Sequence, residues 1–351
     1  MATPVTMEHS LAQDFDGILE HTEGLWNEIR GARLFLTGGT GFFGVWLLES
    51  FLWANRRQSL GAEVVVLSRD PDSFLKRHPS LAHTPGVHWW KGDVRSFTFP
   101  TGEFSHIVHA AADATRARME TEPLDMASTI VDGTRRVLEF ARERGVDKVL
   151  LTSSGAVYGR QPPTVAQMDE AFAGAPDTMD PGSAYGEGKR AAEMLCALYG
   201  RQHGLQPKVA RCFAFVGPHL PLDMGYAIGN FIRDALAGGP IRIAGDGLAW
   251  RSYLYGADLA AWLWTILFRA TACRPYNVGS GHAVTIAEVA RRVAETAGKD
   301  LEVIIAKPPK PGAVGERYLP AVERARVELG LEAWTDLREG IRRTLAWHRS
   351  A

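Results

Sequence analysis

Short apolar runs, each closing on glycine, small or polar residues, recur through the first two hundred positions. They are Leu34-Phe35-Leu36, Val64-Val65-Val66-Leu67, Val87-His88-Trp89-Trp90, His106-Ile107-Val108-His109 and Lys148-Val149-Leu150-Leu151. Between them the apolar residues fall at helical spacing, as in Val45, Leu47, Leu48, Phe51 and Leu52 and again over 124–144. Continuous apolar strands alternating with helices predict a parallel sheet covered on both faces, an α/β doubly wound fold. In such sheets ligands bind outside the carboxyl ends of the strands. Phe15, Ile18, Leu19, Leu25, Trp26 and Ile29 predict an amphipathic helix over residues 11–30, packed beside the first strand. Thr285-Ile286-Ala287-Glu288 reads as a capping box opening a C-terminal helix.

The first strand runs into Thr37-Gly38-Gly39-Thr40-Gly41-Phe42-Phe43-Gly44. Glycines there let the chain turn tightly into a helix whose free N–H groups and dipole attract an anion, the requirement of a dinucleotide pyrophosphate. The second strand ends in Ser68-Arg69-Asp70-Pro71, where an adenosine ribose would be read. A carboxylate at that place selects NAD, whereas serine with arginine pairs with a 2′-phosphate, so Ser68 and Arg69 lean towards NADP. Arg69 stacking on adenine, or Asp70 reaching a ribose hydroxyl, are the alternatives.

Ser183-Ala184-Tyr185-Gly186-Glu187-Gly188-Lys189 opens a segment of good helix formers. Tyr185 and Lys189, four residues apart, would share one helix face with Cβ atoms about 6 Å apart. An ammonium beside a phenol, with a positive nicotinamide above, favours the phenolate. The phenol can then take a proton from a carbinol, or return one to a ketone, as hydride moves.

The composition of the 351-residue chain is that of a globular protein, 46% hydrophobic and 23% charged. A net charge of −1 gives no footprint for nucleic acid or an anionic membrane surface. Cys196, Cys212 and Cys273 are widely spaced, and His106 and His109 have no partner at ligand spacing, so no disulfide framework and no metal site is expected. The acidic residues Glu8, Asp14, Asp16, Glu20 and Glu23 argue against a signal peptide, and no apolar run approaches membrane-spanning length. A cytoplasmic location is the expectation.

The glycine segment TGGTGFFG resembles the TGxxGxxG of the short-chain dehydrogenase/reductase superfamily, most of all its extended, nucleotide-sugar-modifying branch. The resemblance extends over roughly 31–335. Lys91-Gly92-Asp93-Val94 is similar to the family's GD(V/L) turn, whose aspartate accepts from the adenine amino group. His109-Ala110-Ala111-Ala112 is similar to its HxAA, and Ser154, in a segment like SSxxVYG, matches the third catalytic residue beside Tyr185 and Lys189. Ala210–Pro218 resembles RxFNxYGP with Ala214 at the Asn position and Val216 at the Tyr position. Ile130–Thr134 resembles NxxGT with Asp132 where Asn is usual. Gly245-Asp246-Gly247, Arg251 and Asp258 resemble a segment whose arginine clamps the nucleotide diphosphate.

The resemblance implies a Rossmann-type domain over 31–210, an N-terminal helical extension over 1–30, and a smaller substrate-binding lobe over 211–351 with segments returning to the core. It implies NAD(P) held by Gly38, Thr40, Gly41, Phe42, Phe43, Gly44, Ser68, Arg69, Asp93, Val94, Ala110, Ala111, Ala112, Thr152, Tyr185, Lys189 and Phe213. A nucleoside-diphosphate sugar would meet Thr115, Ser154, Asn230 and Arg251. Arg317 is a second phosphate reader or a solvated loop charge. Homodimerisation through the helix carrying Tyr185 is also implied. The 4,6-dehydratases of the branch place Asp-Glu directly after their Ser/Thr; Gly155-Ala156 stand here instead, so Glu170 or another carboxylate would have to reach in. Two readings remain, a 4-epimerase with a retained cofactor and a reductase of 4-keto-6-deoxy sugars using exchangeable NADPH. A non-catalytic dinucleotide-binding protein is disfavoured because both Tyr185 and Lys189 are present.

Overall fold

The apolar runs become neighbouring strands of one seven-stranded sheet in a computed structural model that describes residues 10–112, 115–298, 300–310 and 312–350. In chain order the elements are α1 (Ala12–His21), β1 (Arg33–Thr37), α2 (Phe42–Arg57), β2 (Glu63–Ser68), α3 (Pro71–Arg77), β3 (Val87–Lys91) and β4 (His106–His109). Next come α4 (Arg116–Thr121), α5 (Pro123–Arg144), β5 (Lys148–Ser154), α6 (Ala184–His203), β6 (Gln206–Cys212), α7 (Ala227–Leu236) and α8 (Gly256–Arg269). The strand Pro275–Val278 joins the sheet beyond β6, and the spatial order from that edge is β6, β5, β4, β1, β2, β3. Every pairing in the sheet is parallel. This is the doubly wound, Rossmann-type arrangement that the run-and-helix pattern predicts.

Alternate residues of each strand enter different cores, as the two-residue period requires. Leu34, Leu36, Val64, Val66, Val108 and Leu150 pack with α2 and α8. Phe35, Val65, Leu67, Ile107, Val149 and Leu151 face α5 and α6. Both faces are therefore covered, which explains why the strands read as unbroken apolar runs. Beyond residue 211 the chain makes short strand pairs, Phe215–Val216 with Leu254–Tyr255 and Trp250–Arg251 with Val284–Thr285. The capping box is formed: Thr285 Oγ1 accepts from Glu288 N, and the Glu288 carboxylate accepts from Thr285 N.

The helix expected over 11–30 is divided. α1 stops at His21, Gly24 turns the chain at φ 75°, and a single 3-10 turn covers Trp26–Ile29. Thr22 ties the two pieces, donating to Ile18 O at 2.6 Å and accepting from Trp26 Nε1 at 2.8 Å. The apolar spacing survives because both pieces bury the same side, with Phe15, Ile18, Trp26 and Ile29 all inside. Of the expected extension 1–30, residues 1–9 lie outside the described residues. No helix among the described residues is long and apolar enough to cross a membrane.

Candidate active site

The glycine turn after β1 is built for close approach. Gly38 sits at φ +73°, and a Cβ there would lie 2.5 Å from the Ala110 backbone, so no other residue fits. At Gly44 a Cβ would meet Gly38 O at 2.1 Å, which lets α2 start directly against the turn. The α2 N-cap is Gly41 and carries no side-chain cap. First-turn N–H groups at Phe42, Phe43 and Gly44, beside Thr40, are thus presented to an anion rather than consumed by a cap. Ala110, Ala111 and Ala112, half-buried after β4, floor the same cleft with side chains too small to close it. The turn fits a dinucleotide.

Beneath the turn, His109 is wired in one tautomer. Thr134 Oγ1 donates its only proton to Ile130 O at 2.6 Å, so it accepts from His109 Nε2 at 3.1 Å. His109 Nδ1 is then the acceptor for Thr37 Oγ1 at 2.8 Å, and that oxygen accepts from Ala111 N at 3.2 Å. Burial, assisted by the Lys189 charge, pushes the imidazole down to about 3 and keeps it neutral. The chain of bonds fixes Ala111, in the cleft floor, to β1 and α5.

At the end of β2, Ser68 is buried and stands opposite Lys91 of β3, with Arg69 exposed beside it. Asp70 is used elsewhere: its carboxylate caps α3 by accepting from Ser73 N at 3.1 Å. Asp93 accepts from Arg95 Nε and Nη2, both at 2.9 Å, and Arg95 Nη1 continues to Asp125 at 2.6 Å. These bonds from Arg95 hold the Asp93 carboxyl below the usual carboxylate range, with Arg69 adding to the effect. Val94 is buried against Gly133 of α5.

The catalytic candidates meet where β5 ends. Ser154 is the last residue of β5, and Tyr185 and Lys189 lie in the first turns of α6. Lys189 is 3% exposed, its Nζ donates to Thr152 O at 2.7 Å, and it lies 5.9 Å from the centre of the Tyr185 ring. Burial pushes the ammonium down to about 8. Burial likewise pushes the Tyr185 phenol up, opposed by a hydrogen bond with Ser154. The Lys189 ammonium spends a hydrogen bond on Thr152 O, and burial dominates the phenol in this state. Phenolate formation would therefore depend on the positive ring that the cleft is shaped to hold.

The residues expected at the substrate are only partly gathered. Phe213 comes directly after β6 and packs on Tyr318 at 4.7 Å between ring centres. The Arg251 guanidinium lies 5.8 Å from the Tyr318 ring and donates to Trp250 O at 2.8 Å. Arg317 lies over Trp250 at 5.9 Å, and its buried Nε has no hydrogen-bond partner among the described residues. Thr115 caps α4, its hydroxyl accepting from Arg118 N at 3.2 Å. Asn230 lies on α7 and accepts from Arg233 at 3.4 Å.

Tyr318 is a site residue that sequence reasoning misses. Its hydroxyl is 3.4 Å from Ser154 Oγ although the two are 164 positions apart. Nothing in the local pattern around it signals that approach. Gly155 makes it possible: a Cβ there would come within 2.7 Å of Phe213 and 2.8 Å of the Tyr318 hydroxyl. Lys91 is missed likewise, because only strand pairing sets it beside Ser68.

Under the site runs a buried polar network. Glu193 of α6 accepts from Ser153 Oγ at 2.5 Å and from Arg211 Nη2 at 2.7 Å. Arg211 donates to the Tyr158 hydroxyl at 3.0 Å, which in turn donates to Asn277 at 2.7 Å. Glu170 belongs here too. Its side chain is 3% exposed, it accepts from Asn277 N at 2.9 Å and it faces Arg324 at 3.7 Å. A carboxylate so engaged does not reach the Ser154 hydroxyl side of the cleft as an acid or base. Among the described residues no cluster of His, Cys, Asp and Glu could hold a metal.

A family model described as the NAD dependent epimerase/dehydratase family matches residues 34–279. UDP-glucuronic acid decarboxylase 6 of Arabidopsis thaliana is 30% identical over 88% of this chain and 86% of its own length. UDP-glucuronic acid decarboxylase 1 of Xenopus tropicalis is 29% identical over 90% of this chain and 72% of its own. Among solved structures, the UDP-glucose 4-epimerase of Thermus thermophilus, in complex with NAD, superposes with a TM-score of 0.72. It is 28% identical and covers 91% of this chain and 99% of its own.

Proposed function

The chain belongs to the NAD dependent epimerase/dehydratase family, and from that premise we propose that it oxidises a secondary alcohol of a nucleoside-diphosphate sugar, at C4, through a keto intermediate. The observation that carries this is the meeting of Ser154, Tyr185 and Lys189 at the carboxyl end of β5, beside the glycine turn. A bound oxidised nicotinamide supplies the hydride acceptor and the positive charge over the phenol. Tyr185 takes the carbinol proton as the keto group forms and gives it back when the ketone is reduced. Ser154 hydrogen-bonds the same substrate oxygen. Lys189, anchored on Thr152 O, keeps a cation one helical turn below the phenol. Arg251 and Arg317 offer guanidinium groups to the diphosphate.

The readings part at the step after oxidation. Removing a C5 proton and a C6 hydroxyl needs an acid and a base beside Ser154. The space for a side chain at 155 is filled by Phe213 and Tyr318, and Glu170 is tied into the network below. That argues against a 4,6-dehydratase. Epimerisation needs no further group: the keto sugar turns and is reduced on its other face, and a 4-epimerase is the reading we favour. The decarboxylase relatives favour a second reading by the same economy. Oxidation at C4 of a uronic acid makes the C6 carboxylate β to a ketone, and such an acid loses carbon dioxide without a base. The end of β2, with Ser68, Arg69 and Lys91 and with Asp70 engaged in capping, supports NADP as the dinucleotide. It keeps the reductase reading in play, since a 2′-phosphate marks the exchangeable cofactor.

The first test is the dinucleotide released on denaturing the purified protein, followed by incubation with UDP-glucose and with UDP-glucuronic acid. Retained dinucleotide with conversion of UDP-glucose to its C4 epimer supports the epimerase. Carbon dioxide from UDP-glucuronic acid supports the decarboxylase. An empty site that binds NADPH over NADH, with no turnover of either sugar, supports the reductase. Binding of neither dinucleotide refutes the whole reading.

A further inference from the structure

Before a substrate oxygen arrives to take the serine hydrogen bond, an ionised Tyr185 is the acceptor at hand for the Ser154 proton, yet a serine hydroxyl rotates freely unless its lone pairs are occupied. It has one proton and two lone pairs. One lone pair is taken: Ala156 N donates to Ser154 Oγ at 3.1 Å, capping the turn Gly155–Tyr158. The other lone pair and the proton face two phenols, Tyr185 and Tyr318. From this geometry we infer that Tyr318 is a positioning residue, which donates its phenolic proton to Ser154 Oγ and thereby commits the serine proton to Tyr185.

A phenolate at Tyr185 has no proton to give, so it must receive from Ser154. The remaining lone pair of Ser154 then needs a donor, and Tyr318, 3.4 Å away, is the group in place. Tyr318 keeps its proton across the working range, because burial pushes its phenol up to about 12. Its ring is held between Phe213 at 4.7 Å and the Arg251 guanidinium at 5.8 Å, so the hydroxyl is aimed rather than wandering. The absence of a side chain at Gly155 belongs to the same arrangement, since a Cβ would displace that hydroxyl. Donation into Ser154 polarises its own O–H and strengthens the bond to the phenolate. Removing Tyr318 should therefore make Tyr185 harder to ionise.

The inference rests on the catalytic reading of Tyr185, and one experiment keeps the two apart. The full chain, saturated with NAD⁺ or with NADP⁺, whichever it binds, is titrated from about pH 6 to about pH 10 while tyrosinate absorbance is monitored. In the native protein one tyrosine ionises ahead of the rest, and Tyr185→Phe abolishes that step. Tyr318→Phe, which keeps the ring, moves the step upwards by about 0.7 pH unit, the equivalent of one ordinary hydrogen bond. Gly155→Ala, which leaves Tyr318 present but displaced, moves it in the same direction. In a Ser154→Ala background Tyr318→Phe has no further effect, because the influence runs through the serine. An unmoved or lowered step in Tyr318→Phe overturns the inference, as does an equal upward shift without Ser154. A step that survives Tyr185→Phe overturns the catalytic reading itself, and the inference falls with it.

Discussion

In the proposed mechanism the chemistry turns on Tyr185, a phenol that burial alone would keep protonated. Replacing it with Phe preserves the ring and removes only the proton-transfer group. Turnover should then fall by about 10²- to 10⁴-fold, while dinucleotide binding, measured by fluorescence or calorimetry, stays near the native value. Lys189 gives a test that needs no substrate. Burial lowers its ammonium from the ordinary 10.5 to about 8. In the window between those values the unfolded chain binds more protons than the folded one, so folding stability rises with pH. The penalty of the buried charge is therefore present in full below about pH 8 and is relieved as pH rises through the window. Lys189→Met lacks this dependence. Between pH 7 and pH 10.5 the stability difference should move in favour of the native protein by on the order of 3 kcal/mol, read from urea unfolding without dinucleotide. A difference that stays constant with pH would show that Lys189 is not buried as described.

At the scale of elements, the proposed choice between NADP and NAD rests on the ends of β2 and β3. Ser68 and Lys91 are register partners across the two strands, and Arg69 stands at the tip of the first. A ribose 2′-phosphate there would meet two cations and a hydroxyl; a carboxylate to accept from ribose hydroxyls is missing, since Asp70 is capping α3. Ser68→Asp with Arg69→Ala should weaken NADP⁺ binding by about 10- to 100-fold and improve NAD⁺ binding, as read by titration calorimetry. A native protein that already prefers NAD⁺ would refute the phosphate reading.

The same elements show what the sequence could disclose. The strands were legible because burial on both faces leaves unbroken apolar runs, and the glycine turn because its geometry admits no Cβ at Gly38. Tyr185 and Lys189 were legible because both lie on one helix, where spacing in sequence is distance in space. Tyr318, Lys91 and the engagement of Asp70 and Glu170 were not. Each depends on partners from other segments, and no local pattern records which loop closes over which strand end. The break at Gly24 is hidden for the opposite reason, since two short helices burying one side leave the same apolar spacing as one long helix.

At the scale of the molecule, α5 and α6 lie side by side on one face of the sheet, over Phe35, Ile107 and Val149. Their inner sides are filled, with Ile130, Val137 and Leu138 of α5 and Ala192 and Cys196 of α6 buried. Their outer sides are mostly polar but carry three exposed apolar side chains. Met194 is 61% exposed and Leu198 42%, one turn apart on α6, and Leu124 at the start of α5 is 87% exposed. Exposed apolar side chains at i and i+4 form a stripe, and a stripe of this kind on a helix is covered most simply by its own two-fold copy. The proposed homodimer would thus pair α5 and α6 with those of a second subunit. Tyr185 lies on α6 as well, so the partner would steady the helix that carries the phenol and Lys189. Light scattering on the native protein should give twice the chain mass. Met194→Glu with Leu198→Glu would set like charges against each other across the two-fold axis and should yield monomers. The monomer should retain dinucleotide, because the glycine turn lies at the carboxyl end of β1 and owes nothing to that surface. Its turnover should fall, because α6 loses its support. A native monomer, or a dimer untouched by both glutamates, would place the interface elsewhere and leave the stripe without a partner.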